Sequence, residues 1–171
     1  PAPQFARRLA ESGLRVLVVA TLDRTLEKFR GRALQTRREF AHRPAFELGR
    51  TLVGYEVSAV LAARRWMKRE GQPIAVAGWG EGGETALLAG ALDPEFAAVA
   101  VSGSFGPHAR RWHEPLERNL FGFANRFGDA ELGAMVWPRP LLIEAARGPE
   151  IELPSQGGAP AELRSPTLDQ V

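Results

Sequence analysis

Apolar runs alternate with amphipathic stretches along the chain, and this pattern predicts its elements. Four nearly continuous runs of apolar, often β-branched side chains occur, at residues 14–20, 74–77, 96–101 and 140–145. Such runs are typical of strands that are covered on both faces, and therefore of a parallel sheet. Residues 46–70 have the spacing of one long helix with Trp66 in the core. The pattern predicts an α/β fold, with a mostly parallel, doubly wound sheet flanked by helices.

The segments between the predicted strands are less regular. Residues 4–11 are predicted to form a short helix, and residues 21–44 a long, arginine-rich polar connection. A further helix is predicted to begin at Asp129, whose side chain can cap it. Glycine, proline and serine dominate toward the end of the chain. We therefore expect residues 1–150 to form a single domain and residues 151–171 an extended or disordered tail.

Composition excludes several kinds of chemistry. The 171 residues include no cysteine, so a disulfide, a thiolate nucleophile and a cysteine metal site are all impossible. No apolar run approaches the roughly 18 residues that a membrane span needs. The net charge of +2 is small and gives no reason to expect a nucleic-acid partner. The chain begins with proline rather than methionine, which suggests a fragment and leaves the compartment and the oligomeric state undetermined.

Charge is distributed unevenly along the sequence. Residues 1–70 carry 15 basic and 7 acidic side chains, whereas residues 71–171 carry 7 basic and 13 acidic ones. This asymmetry is typical of a domain whose faces differ in charge.

A glycine cluster follows the second predicted strand and precedes an apolar helical stretch, within residues 73–92 (PIAVAGWGEGGETALLAGAL). The strand, tight turn and helix have two chemical interpretations. Gly78, Gly80 and Gly83 match the G-x-G-x-x-G fingerprint that binds a dinucleotide. The same turn also matches the G-x-nucleophile-x-G elbow, from Gly78 to Gly82, with glycine at the nucleophile position.

The dinucleotide interpretation lacks one expected partner. An acidic residue should follow about 20 positions later to bind the ribose, but Val101, Ser102 and Gly103 stand there. Glu81 would also place a carboxylate among the phosphates. A nicotinamide dinucleotide bound through Gly78, Gly80 and Gly83 therefore stays as an alternative to the elbow.

The elbow and its neighbouring segments resemble the α/β-hydrolase superfamily, on the side of the dienelactone hydrolases and acetyl xylan esterases. The resemblance covers roughly residues 5–152 and rests on RLAESGLRVLVVATLDR, ELGRTLVGYEVSAVLAARRW, AGWGEGGETALLAGAL, AAVAVSGSFG and VWPRPLLIEAARGPE. It implies a partial α/β-hydrolase fold that lacks the opening strands and the last strand and helix. It also implies a small-molecule ester or carbohydrate-derived ligand, and no cofactor or metal.

The resemblance assigns roles to a few residues. Gly80 stands at the nucleophile position, and without a side-chain oxygen or sulfur it cannot form an acyl-enzyme. The backbone N–H of Glu81 is where the family builds half of its oxyanion hole. Glu150 is the nearest candidate for the family's acid, with Glu144 second, and the family's histidine would lie beyond Val171. Trp79, beside the vacated position, is a binding candidate.

Other chemically capable side chains are less constrained by the sequence. His42 is the histidine on the loop that faces the expected ligand edge, and it is a second binding candidate. Ser102 and Ser104 follow a strand at that edge, but no base is evident for either as a nucleophile. His108 and His113 are expected to be surface or capping residues. Three functions stay open: an ester hydrolase with unusual chemistry, a non-catalytic pseudo-hydrolase and a dinucleotide-binding protein.

Overall fold

A computed structural model describes residues 4–29, 31, 33–107 and 111–171. The chain is mixed α/β. Its five helices among the described residues are α1 Phe5–Glu11, α2 Arg37–Glu47, α3 Leu52–Met67, α4 Glu81–Leu92 and α5 Asp129–Val136. The strands are β1 Leu26–Phe29, β2 Ala33–Thr36, β3 Ala75–Trp79, β4 Ala98–Ser102, β5 Leu141–Glu144, β6 Ile151–Leu153 and β7 Ala161–Leu163. Three short 3-10 turns occur at Arg111–His113, Leu116–Arg118 and Leu168–Gln170.

The central sheet is parallel and has three strands, in the order β3, β4, β5. The register pairs Trp79 with Ser102 and Ser102 with Glu144, so the carboxyl ends of the strands are aligned. The other two sheets are antiparallel hairpins, β1–β2 and β6–β7. The predicted α/β class is confirmed, and three of the four predicted apolar runs lie in the sheet.

The core lies between the sheet and α4. Leu87, Ala89, Val99 and Val101 are each at most 1% exposed. Gly90 lets α4 approach β4 closely, since a Cβ on Gly90 would overlap the Val99 side chain. The following α5 packs against α4 through Leu132 and Val136 within the same apolar cluster. The element order β3–α4–β4 thus folds as the strand–helix–strand unit that the sequence predicts.

Residues 14–20 are not a strand, so this prediction is wrong. They have no strand pairing, and Leu14, Leu17 and Val18 are 57%, 42% and 70% exposed. One side chain of the segment contacts the rest of the domain: Arg15 Nη2 donates to the Met67 carbonyl. Apolar composition indicates a tendency to extend, but a strand also needs a partner edge.

The region after residue 20 is more regular than predicted. The polar connection contains the β1–β2 hairpin and most of α2, which begins with Thr36 accepting from Glu39 N at 3.0 Å. The predicted single helix over residues 46–70 is also wrong. It is interrupted after α2, where Gly49 has φ 71°, and it restarts at α3 with Thr51 as the cap. Trp66 is 77% exposed and lies outside the core.

The end of the chain packs back onto the domain. Residues 151–171, expected to be extended or disordered, contain the β6–β7 hairpin, in which Ala161 and Leu163 are each 6% exposed. Ala159 N donates to the Glu39 carboxylate at 3.0 Å and 3.2 Å, so the segment contacts α2. At the other end, α1 forms as predicted, but its Phe5 is 60% exposed. The helix predicted to begin at Asp129 does begin there, as α5, but Asp129 is not its cap: Gly128 is the N-cap, and the Asp129 carboxylate accepts from Gly106 N at 3.0 Å.

Across the part of the chain that the structure describes, every helix is too short or too polar to cross a lipid bilayer.

Candidate functional site

The glycine turn has the sharp geometry of a strand-to-helix elbow. Gly80 has φ 57° and ψ −124°, a conformation that favours glycine. Its N–H donates to the Ser102 carbonyl at 2.8 Å, and its carbonyl accepts from Gly83 N at 2.9 Å. Gly78 is equally constrained, because a Cβ there would overlap the Gly82 carbonyl. Glycine is therefore required at Gly78 by the close approach of the backbone and is favoured at Gly80 by its positive φ.

Gly80, where the elbow interpretation expects a nucleophile, is covered by another part of the chain. A Cβ built on Gly80 would lie less than 3.0 Å from both Cδ and Cγ of Pro149. The segment before Pro149 is anchored at the same edge, since Trp79 Nε1 donates to the Arg147 carbonyl at 2.8 Å. Gly103 and Gly148 also approach closely, backbone to backbone. Residues 147–149 thus cross over the elbow and fill the space in which a nucleophile side chain would stand.

Beside the turn, the first residue of α4 joins a cluster of ion pairs, which we call the arginine–glutamate network. The network consists of Arg24, Arg38, Arg111, Arg118, Glu56, Glu81, Glu84, Glu114 and Glu117. Glu81 pairs with Arg24, lies 3.2 Å from Arg118 and lies 3.7 Å from Arg38. The carboxylate of Glu81 therefore forms ion pairs with arginines of three other segments.

The network controls ionisation at the elbow. Burial would raise the pKa of Glu81, but the hydrogen bond and charge of Arg24, together with Arg118 and Arg38, lower it to about 2. The pKa of Arg118 is raised, because the attraction of Glu84, Glu114 and Glu81 outweighs the effect of burial. Both groups are charged at neutral pH, so neither is suited to exchange a proton during a reaction.

His42 lies on the inner face of α2, not on a loop. The residue is 3% exposed, and its ring is 5.7 Å from that of Phe46. Its Nδ1 is buried without a hydrogen-bond partner among the described residues. Burial lowers the pKa of His42, an effect that the nearby Glu117 carboxylate partly opposes. As a binding residue His42 is inaccessible, although it adjoins the arginine–glutamate network.

The two acid candidates lie in different surroundings. Glu150 directly follows Pro149, but it is exposed and its carboxylate lies 3.8 Å from Arg164. Glu144 ends β5 and accepts a 2.5 Å hydrogen bond from Ser102 Oγ. Ser102 therefore does have a carboxylate partner, which the sequence did not indicate. Ser104 Oγ is buried and has no partner among the described residues.

The structure brings together only some of the predicted site residues. Trp79, Gly80 and Glu81 share the elbow, and His42 adjoins the same network through Glu117. Glu150 is paired elsewhere, and His113 is exposed as expected. His108 lies outside the described residues.

Sequence reasoning missed Pro149 and the partners of Glu81. A usable signal existed for part of the network, since Arg111, Glu114 and Arg118 are spaced at i+3 and i+4 and form pairs at 3.1 Å and 2.7 Å. Pro149 had no comparable signal. Its position over Gly80 depends on how the chain turns back after β5.

The glycine fingerprint is also obstructed as a phosphate site. Pro149 covers the central glycine, Gly80, and Glu81 holds a negative charge at the first position of α4. Among the described residues no group of three or more histidine, aspartate or glutamate side chains is arranged to hold a metal ion. Comparisons with family models, with curated proteins and with solved structures gave no match to this chain.

Proposed function

We propose that this chain is a non-catalytic relative of the α/β-hydrolases, a pseudo-hydrolase that binds a ligand or partner without acyl transfer. The observation that carries the proposal is the position of Pro149 over Gly80. A glycine alone removes the nucleophile, and the packed proline ring also removes the space for a substrate carbonyl at that atom. The elbow then serves as a structural junction between β3 and α4.

The surrounding groups support the same proposal. A Ser-His-Asp mechanism needs a histidine that can reach the nucleophile and an acid that orients it. His42 is buried behind the network, and Glu81 is held by Arg24, Arg38 and Arg118. The charged groups beside the elbow thus stabilise the fold, which suits a binding protein better than a hydrolase.

The test is hydrolysis of a generic acyl ester, p-nitrophenyl acetate, by the parent and by Gly80→Ser. We expect both proteins to be inert above the background rate, because Pro149 excludes the serine side chain and, among the described residues, His42 is buried and Glu81 is paired with arginines. The double variant Gly80→Ser with Pro149→Gly, which opens this space, should also be inert.

Gly82→Ser is the matched control, since a Cβ at Gly82, in the same turn, meets nothing within 4 Å. Turnover by the parent, or a rate gained by either serine-80 variant and absent from Gly82→Ser, would overturn the proposal. Circular dichroism of each variant shows whether an inert protein is folded.

A further inference from the structure

The chain crosses the carboxyl edge of the parallel sheet directly after β5. We call the crossing segment, residues 145–150 (AARGPE), the strap. It passes over Gly103, which follows β4, and then over Gly80, which follows β3. Arg147 in the strap is exposed, whereas Gly148 and Pro149 are half-buried against the sheet edge. The strap therefore lies in a groove at the edge where open parallel sheets bind their ligands.

Two side chains of the groove hold consecutive carbonyl groups of the strap. Trp79 Nε1 donates to the Arg147 carbonyl at 2.8 Å, and Ser165 Oγ donates to the Gly148 carbonyl at 3.0 Å. Among the described residues, the backbone of the strap makes no other hydrogen bond to a separate segment. Every peptide carries such carbonyl groups. Neither bond therefore requires the bound segment to belong to the same chain.

The groove selects glycine followed by proline. A Cβ on Gly148 would overlap the carbonyl oxygen of Gly103, so that backbone contacts backbone and only glycine fits. The ring of Pro149 fills the space over Gly80. Proline also favours an extended conformation of the residue before it, which reduces the entropy that a peptide loses when it binds. The sequence preference of the groove is thus an extended glycine–proline segment.

The strap is suited to leave the groove as a unit. It is held by two hydrogen bonds from side chains and by the packing of Gly148 and Pro149, and no strand pairing joins it to the sheet. The Arg147 and Glu150 side chains are exposed. A segment with few hydrogen bonds and little burial opens at a lower free energy than the core does.

We infer that the groove binds an extended glycine–proline segment of a partner protein and that the strap is its internal competitor. Covalent attachment gives the strap an effective concentration on the order of millimolar, so the groove stays closed until a partner segment displaces the strap. The inference rests on the proposed binding function and names the class of ligand.

Gly148→Ala opens the groove, because the added methyl group overlaps the Gly103 carbonyl and displaces the strap. Trypsin cleavage after Arg147, followed by mass spectrometry, measures the opening. We expect cleavage about tenfold faster in Gly148→Ala than in the parent. Gly82→Ala, with open space around its Cβ, is the matched control and should be cleaved at the parental rate.

Pro149→Gly is a second opened variant, since it removes the ring over Gly80 without adding an overlap. It carries the test if circular dichroism shows that Gly148→Ala does not fold.

Fluorescence anisotropy then measures binding of two fluorescein-labelled peptides, AARGPE with the strap sequence and AARAPE with alanine in place of the glycine. We expect the opened variants to bind AARGPE saturably, with a dissociation constant below about 1 mM, and the parent to bind it about tenfold more weakly. AARAPE should not bind. In the opened variants, Trp79→Phe should weaken binding about fivefold, because the indole N–H is lost. Trp112→Phe, at a tryptophan that is 78% exposed, is the control and should leave binding unchanged.

Four results would overturn the inference: unchanged cleavage after Arg147 in both opened variants, no saturable binding by a folded opened variant, equal binding of the two peptides, or binding that Trp79→Phe leaves unchanged. Each of them leaves the proposed absence of acyl transfer in place. Ester turnover by the parent would instead overturn the proposed function, so the two failures are distinguishable.

Discussion

At the scale of single residues, Gly80 shows which part of the glycine motif the backbone geometry requires. The positive φ of Gly80 and the close approach of Gly78 to Gly82 are both needed to pass from strand to helix in one residue. These backbone demands remain even when no nucleophile is present. The glycine pattern therefore predicts the turn, whereas the space beside Gly80 is set by Pro149, which lies about 70 residues further along the chain.

The burial of His42 predicts a pH dependence of stability. Because the pKa of His42 is lowered in the folded state, the unfolded chain takes up the proton first as the pH falls below the ordinary histidine pKa of 6.5. The stabilisation is complete above that pH and is lost as the pH falls through the lower, folded-state pKa. We expect the free energy of unfolding to fall between pH 7 and pH 5.

Urea denaturation at several pH values measures this dependence. His42→Gln should reduce the change in the free energy of unfolding with pH, whatever its effect on absolute stability, because glutamine does not titrate. His113→Gln, at an exposed histidine, is the control and should leave the slope unchanged. An equal slope in the parent and in His42→Gln would contradict the prediction.

At the scale of elements, the sequence predicted those segments that pack against each other locally. β3, α4, β4, α5 and β5 were anticipated because apolar periodicity and glycine turns encode them directly. Residues 14–20 were predicted as a strand but do not pair with the free outer edge of β3 or of β5, because apolar composition alone does not determine strand pairing. The interruption between α2 and α3 was missed although Gly49 and Thr51 are ordinary end and start signals, since the apolar spacing continues across them.

The site was less predictable than the elements. Trp79, Gly80 and Glu81 were identified from the turn itself. Their partners Arg24, Arg118 and Pro149 come from distant segments whose approach only the tertiary structure determines.

The contact between α4 and β4 gives a prediction at this scale. Gly90→Ala should destabilise the protein by about 1–3 kcal/mol, because the added methyl group overlaps Val99 and this outweighs the better helix propensity of alanine. Val99→Ala should be less harmful in the Gly90→Ala background than in the parent. A double-mutant cycle of urea denaturation measures this coupling.

Gly82→Ala is the matched control, in the same helix but with open space around a Cβ. It should be neutral, or stabilising by up to about 1 kcal/mol. If Gly90→Ala changes the free energy of unfolding no more than Gly82→Ala does, the close approach of α4 to β4 is not needed for stability.

At the scale of the whole molecule, α2 connects the two ends of the domain. Arg38 on α2 pairs with Glu56 at 2.6 Å and approaches Glu81 beside the elbow. The next residue, Glu39, accepts from Ala159 before β7. Helix α3, the elbow and the β6–β7 hairpin are thereby fixed to one helix.

The contact between Glu39 and Ala159 spans 120 residues and has a consequence for cleaved chains. Phe121 is 93% exposed, so a protease could cut the chain beside it, between β4 and β5. The cut would leave intact the β4–β5 strand pairing, the packing of α4 on α5 and the hydrogen bond to Glu39. The two fragments should therefore co-elute on size exclusion and separate only in denaturant. The two fragments should also assemble when they are mixed as separate chains, so that their association can be measured directly. Glu39→Ala should weaken this association.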